Sequence, residues 1–161
     1  MKTVNDALAF GLERSGKMLT RFCEDLTPAE YLHRPCPKAN CAAWIVGHLV
    51  LSDRRALAAM GGEGPVLPEG FEHRFSREPG SAEAAEFGDV TILLQLFIDH
   101  RARLVAKVKS ASAELLATPM EKPHPMFADR AELVGFFAVH TAMHAGQISS
   151  IRRSLGRPPV V

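Results

Sequence analysis

The last third of the chain carries its clearest repeating pattern of apolar positions. From Leu133 to Gly156 it reads LVGFFAVHTAMHAGQISSIRRSLG, and residues spaced by three and four fall on one face of a helix. That face consists of Leu133, Phe137, His140, His144, Ile148, Ile151 and Leu155. Two histidines therefore occupy positions where aliphatic side chains would normally fill a core.

Apolar stripes of the same period predict three further long helices. Ser15 interrupts the stripe of the first helix, either as a small packed residue or as a side chain that faces a polar cavity. On the third helix, either His100 or Arg101 must turn toward the core. The three predicted helices run from Val4 to Asp25, from Asn40 to Gly61, and from Asp89 onward.

Polar residues mark two further helix starts. Thr27 and Glu30 form a capping box for a short helix, and Asp129 with Glu132 does the same for the last long helix. Three prolines interrupt the chain over residues 119–125, just before that last helix. No segment alternates apolar and polar residues convincingly, so we expect no strand.

Residues 61–88 form a long connection, with a short helical turn predicted near Ser81 to Glu86. A crossover of this length lets the third helix run parallel to the second, and it is long enough to carry a lid over a site. We therefore predict an all-α fold, a four-helix bundle with up-down-down-up topology, formed by a single domain over residues 1–161.

The second helix is apolar on two faces, and one face contains a histidine. The first face consists of Cys41, Trp44, His48 and Leu51. The second consists of Ala43, Val46, Val50 and Leu57. Both faces must be covered. The cover of the second face could be the connector around Pro35 or a second copy of the chain, and we favour a homodimer.

Composition excludes several classes of protein. The 161 residues are 47% hydrophobic and 23% charged with a net charge of +1, as in soluble globular domains. Without a basic cluster we expect no nucleic-acid partner, and without a long apolar run we expect no membrane association. The N-terminus does not read as a secretory signal, and the three cysteines, an odd number, fit a reduced, cytoplasmic protein.

Three histidines on two helices can meet at one point. His140 and His144 lie one helical turn apart, and the bundle would place His48 opposite them. Three nitrogens with an open fourth position are typical of a catalytic metal site, and imidazole accepts Zn, Ni, Fe, Mn or Co. His100 could support such a site, or hydrogen-bond with solvent at the helix edge. A scaffold without metal, in which the imidazoles only hydrogen-bond, remains the alternative.

Two segments resemble motifs of the DinB/YfiT-like superfamily of metal-binding four-helix bundles. AAWIVGHL resembles its second-helix motif, and VHTAMHAGQISSIRRSLGRP resembles its last-helix signature. The resemblance implies that His48, His140 and His144 bind a divalent metal, with Zn or Ni favoured over Fe, Mn or Co. Trp44 and His100 are then candidate pocket residues. It also implies that the chain forms a dimer.

The resemblance leaves three functions open. Transfer of a low-molecular-weight thiol to a small electrophile requires a metal that keeps the sulfur as thiolate. Hydrolysis requires an activated water and usually a base, for which Glu30, Asp53 and His100 are candidates only. Because Asp53 points away from His48 on the helical wheel, we favour a thiol S-transferase over a hydrolase. The third function is that of a non-enzymatic, stress-associated metal-binding dimer.

Overall fold

Four long helices dominate the structure, a computed structural model that describes residues 2–76 and 84–160. α1 packs against α5 and α7, and α3 packs against the same two helices. The prediction of a mostly helical chain is confirmed, whereas the up-down-down-up order stays a prediction. The helices of the described segments are α1 (Val4–Cys23), α2 (Pro28–Tyr31), α3 (Ala42–Ala59), α4 (Phe71–Phe75), α5 (Leu93–Lys109), α6 (Ala113–Leu116) and α7 (Arg130–Ser154).

Both predicted N-terminal caps are present, and the cap of α2 is a complete capping box. The Thr27 hydroxyl accepts a hydrogen bond from the Glu30 amide, and the Glu30 carboxylate accepts one from the Thr27 amide. At the start of α7, Asp129 Oδ1 accepts from the Glu132 amide at 2.9 Å. These bonds satisfy amide groups that have no partner within the helix itself.

Two other helix starts differ from the sequence-based prediction. Cys41, and not Asn40, occupies the cap position of α3. The Asn40 side chain instead donates to Gln147 Oε1 on α7 at 3.1 Å. Asp89 caps the short 3-10 turn Val90–Ile92, which leads directly into α5. In both places a side chain that could have capped the long helix forms a different contact.

A small sheet precedes α7, so the expectation that the chain has no strand was wrong. β1 (Pro119–His124) pairs with β2 (Phe127–Asp129) as an antiparallel hairpin with an irregular register. Phe127 is the one buried residue of the two strands. A hairpin that buries so little apolar surface leaves no alternating pattern for the sequence to display. The Arg130 amide donates to the Thr118 carbonyl and joins the hairpin to α7.

The connection between α3 and α5 packs aromatic residues onto α3. Phe71, Phe75 and Phe87 are buried and their rings contact one another. A Cβ atom at Gly47 would lie 2.2 Å from the Phe75 ring, so glycine permits this close approach. Of the turn predicted near Ser81 to Glu86, residues 81–83 lie outside the described segments, and a 3-10 turn spans Ala84–Phe87.

The second apolar face of α3 is covered within one copy of the chain. Ala43, Val46, Val50 and Leu57 are all buried in the isolated protein. That face therefore no longer argues for a homodimer. Among the described helices, none combines the length and the hydropathy that crossing a membrane requires.

Candidate metal centre

Three imidazoles from α3 and α7 converge at one point. His140 Nε2 lies 3.4 Å from His48 Nε2 and 3.1 Å from His144 Nε2. One ligand atom from each of the three residues lies within 4.8 Å of the other two. Within the described segments this is the one cluster of His, Cys, Asp or Glu side chains with metal-ligand spacing. The sequence places these histidines on two separate helices, and the packing of α3 against α7 brings them together.

The spacing of these nitrogens fits a divalent cation. Four-coordinate zinc with bonds of about 2.0–2.1 Å separates its ligand nitrogens by about 3.3–3.4 Å. The two Nε2 distances of 3.4 and 3.1 Å are close to that separation. Three protein nitrogens also leave one position of a four-coordinate ion for a substrate atom. The histidines thus fit the metal that the sequence predicted.

The three imidazoles are held in the neutral form that binds metals. Burial, followed by the neighbouring histidines, lowers the pKa of His48 to about 4. Burial and the proximity of His144 also lower the pKa of His140 to about 4. Burial lowers the pKa of His144, although its hydrogen bond to Gln147 acts in the opposite direction. Near pH 7 the three imidazoles are therefore largely unprotonated, so a metal ion competes little with protons for their nitrogens.

Gln147 orients one of the proposed ligands. His144 Nδ1 lies 3.0 Å from Gln147 Oε1, and Asn40 Nδ2 donates to the same oxygen at 3.1 Å. A carbonyl oxygen accepts hydrogen bonds, so His144 carries its proton on Nδ1 and directs the Nε2 lone pair toward the other histidines. Sequence reasoning missed this role, although Gln147 lies one helical turn after His144.

Trp44 forms one wall of the histidine cluster. Its ring stacks on His48, with centroids 4.7 Å apart and planes 9° from parallel. The same indole meets His144 edge-on at 6.1 Å. Trp44 is buried, so its contact limits the orientations that the His48 ring can adopt. The structure therefore places this sequence-predicted pocket residue at the site.

His100 lies elsewhere in the described structure. It is fully buried, its Nδ1 donates to the Leu96 carbonyl at 2.8 Å, and its ring edge faces Gly64. None of the hydrogen bonds or ring contacts described for His100 involves the three histidines. Burial lowers the pKa of His100, which keeps the ring neutral.

The two carboxylates considered as bases are already engaged. Glu30 accepts hydrogen bonds from Arg157 at 2.7 and 2.8 Å. Asp53 is fully buried and pairs with Arg101 through two hydrogen bonds of 2.7 and 2.9 Å. Neither carboxylate is free to accept a proton from a water molecule at the histidine cluster.

Arg101 is the centre of a buried polar network that reaches all four long helices. Its guanidinium donates to Asp53 on α3, to Thr141 on α7, and to Ser15 and the Leu12 carbonyl on α1. Ser15 thus interrupts its apolar stripe because it faces polar groups, which agrees with the second of the two interpretations. The sequence pattern required only one of His100 and Arg101 to face the core, and the structure buries both.

A cavity of about 850 Å³ opens beside His48 and His140. One wall is the hairpin, which sequence reasoning did not foresee, and the others come from α3 and α7. Phe136 stacks on His140 with centroids 5.6 Å apart. The charged residues of the lining are Arg55, Glu121, Lys122 and Arg130. Two of the three proposed metal ligands, His48 and His140, are therefore accessible to a small molecule.

The cysteines do not extend the site. Cys23 and Cys41 are buried and Cys36 is exposed, and all three are free thiols. Burial raises the pKa of Cys23 to about 12 and also raises the pKa of Cys41. These two thiols are poor sources of thiolate at neutral pH.

Comparisons with known proteins agree with this architecture. A family model described as the DinB superfamily matches residues 11–148. The crystal structure of a conserved protein from Enterococcus faecalis matches with a TM-score of 0.75 and 16% sequence identity, over 98% of this chain and 100% of that chain. At that identity the likeness shows a shared fold. No curated protein matches the chain significantly.

Proposed function

The chain belongs to the DinB superfamily, and from this we propose that it is a metal-dependent thiol S-transferase. In this proposal His48, His140 and His144 bind one divalent cation, with Zn or Ni favoured over Fe, Mn or Co. The convergence of their three nitrogens beside an accessible cavity is the observation that carries the proposal. A bound cation would lower the pKa of a coordinating thiol, so that the reactive thiolate predominates at neutral pH.

The protein's own groups favour thiol transfer over hydrolysis. The reaction joins the thiol sulfur to an electrophilic carbon, the leaving group departs with the bonding electrons, and the thiol proton passes to solvent. These reaction steps require no general base from the protein. Asp53 and Glu30, which could have served hydrolysis, are held by Arg101 and Arg157.

One observation supports a hydrolase as the second candidate. Glu121 lies on the hairpin and is the carboxylate that lines the cavity within the described segments. If Glu121 acts as a general base, Glu121→Gln should abolish hydrolysis of esters or amides. If thiol transfer is the reaction, the same substitution should leave S-conjugation nearly unchanged.

The quaternary structure and topology are also proposals. We retain the up-down-down-up bundle, the homodimer and a cytoplasmic location. The dimer is now supported by large apolar side chains that are exposed on α1 and α7, namely Phe10, Val139 and Met143. Light scattering of dilute protein tests it, and a stable monomer would contradict it.

The function is tested with metal-loaded protein, a panel of low-molecular-weight thiols and small electrophiles. S-conjugation and ester or amide hydrolysis are measured in parallel for the wild type and for His140→Ala. We expect S-conjugation that is lost in the variant. Conjugation that persists unchanged in His140→Ala would contradict a metal-bound thiol, and hydrolysis without conjugation would favour the second candidate. A metal-binding protein with neither activity would fit the non-enzymatic dimer.

A further inference from the structure

The cavity beside the histidine cluster is lined mainly by apolar side chains, and most of its charged lining residues are cations. Its described lining carries three cations, Arg55, Lys122 and Arg130, and one carboxylate, Glu121. Most of the remaining lining is apolar and includes Met120, Phe127, Leu133, Phe136 and Phe137. Such a lining suits a ligand with an apolar body and a negative charge.

Within the described segments the three cations have no acidic partner. Among the described residues, no carboxylate forms an ion pair with Arg55, Lys122 or Arg130. By contrast, Arg101 and Arg152, which are buried, both have carboxylate partners. Unpaired charges of one sign in a concave, partly apolar surface focus the electrostatic potential and attract an opposite charge.

The cations come from three different elements of the cavity wall. Arg55 follows His48 by seven residues, so it lies on the same face of α3 about 10 Å farther along the helix axis. Lys122 belongs to β1, and Arg130 is the first residue of α7. A ligand that touches both the histidines and Arg55 therefore extends along the cavity and does not occupy the metal position alone.

We propose that Arg55, Lys122 and Arg130 bind the anionic group of a small substrate whose apolar body lies against Phe136 and whose reactive end reaches the histidines. The anionic group is an oxyanion, a carboxylate or a phosphonate, whose geometry the arginine guanidinium matches through paired hydrogen bonds. This assignment rests on the proposed function for the reaction at the metal, but recognition of the anion does not depend on catalysis.

The test is calorimetric titration of the full-length protein with three probes that share a phenethyl body. Hydrocinnamate carries a carboxylate, phenethylphosphonate carries a phosphonate, and hydrocinnamamide is neutral. Each titration is performed on metal-loaded protein and again after chelation, because a carboxylate could also coordinate the metal. We expect both acids to bind more tightly than the amide in both preparations.

The variants Arg55→Gln and Arg130→Gln identify the groups responsible. Loss of one charge-assisted hydrogen bond should weaken acid binding by about tenfold to a hundredfold and leave amide binding unchanged. Arg54→Gln is the matched control, since Arg54 faces Glu72 and does not line the cavity. It should alter the binding of none of the three probes.

Three results would overturn the assignment. Equal affinity for acids and amide would show that the cavity does not recognise charge. A preference for acids that disappears on chelation would place the anion on the metal. An equal effect of Arg54→Gln and Arg55→Gln would reflect net charge alone. Absence of thiol transfer would count against the proposed function and would leave this binding result intact.

Discussion

Arg101 donates to Asp53 from Nε at 2.7 Å and from Nη2 at 2.9 Å, and both side chains are buried. The same Nη2 donates at 2.7 Å to Thr141, which directly follows the proposed ligand His140. Asp53 lies on α3, five residues after His48. One guanidinium therefore connects the two helices that supply the histidines.

Replacing Arg101 with methionine should strongly destabilise the protein. The variant leaves Asp53 buried without its partner, and breaking a buried ion pair in this way costs about 3–5 kcal/mol of unfolding free energy. Urea denaturation of wild type and variant measures the difference. The double variant Asp53→Leu with Arg101→Met should recover much of the loss, because no buried charge remains. A loss below about 1 kcal/mol for Arg101→Met would contradict the proposed strength of this pair.

Replacing Gln147 with leucine should weaken metal binding more than it affects folding. Gln147 accepts from His144 Nδ1 and is itself exposed, so its main effect is on the tautomer and orientation of that ring. Loss of such a partner typically lowers metal affinity by about 10- to 100-fold. Calorimetric zinc titration measures the affinity, and thermal unfolding of the metal-free protein measures stability.

Asn40→Ala is the comparison for Gln147→Leu. Asn40 contacts Gln147 and reaches His144 only through it, so its removal should have a smaller effect on affinity. If Asn40→Ala weakened zinc binding as much as Gln147→Leu, the tautomer explanation would be wrong.

The metal-free protein should lose stability on mild acidification. Folding lowers the pKa of His48 and His140 from 6.5 to about 4, so the unfolded chain binds protons first as the pH falls. The free energy of unfolding is then highest above pH 6.5 and decreases between pH 6.5 and about 4. Denaturant titrations across that range measure the slope. A His140→Gln variant should show a smaller slope, and an equal slope would exclude His140 as a contributor.

The long helices, and the placement of two histidines on one helical face, could be predicted from the sequence because both follow a regular spacing. His140 and His144 recur on one helical face, and the structure joins them to His48 across the core. The hairpin was missed because its residues are mostly exposed, so no apolar alternation records it. It nevertheless supplies one wall of the cavity, including Glu121 and Lys122.

The buried polar network could not be read from spacing either. Ser15, Asp53, Arg101 and Thr141 lie on four different helices, and no spacing along the chain links one of them to another. Their partnership depends on how the helices are rotated against one another, which a single sequence does not encode in any local pattern. The second apolar face of α3 suggested a partner chain, but residues of the same chain bury it. That packing, too, leaves no local pattern in the sequence.

The metal content of protein purified without a polyhistidine tag shows whether the three histidines form a metal site. Elemental analysis and zinc titration of wild type are compared with His48→Ala, His140→Ala and His144→Ala, and with His33→Ala as a control outside the cluster. We expect one divalent cation per chain in the wild type and in His33→Ala, and loss of tight binding in each of the other three variants. Wild-type protein that binds no divalent cation, or full binding in any of those three variants, would contradict this expectation.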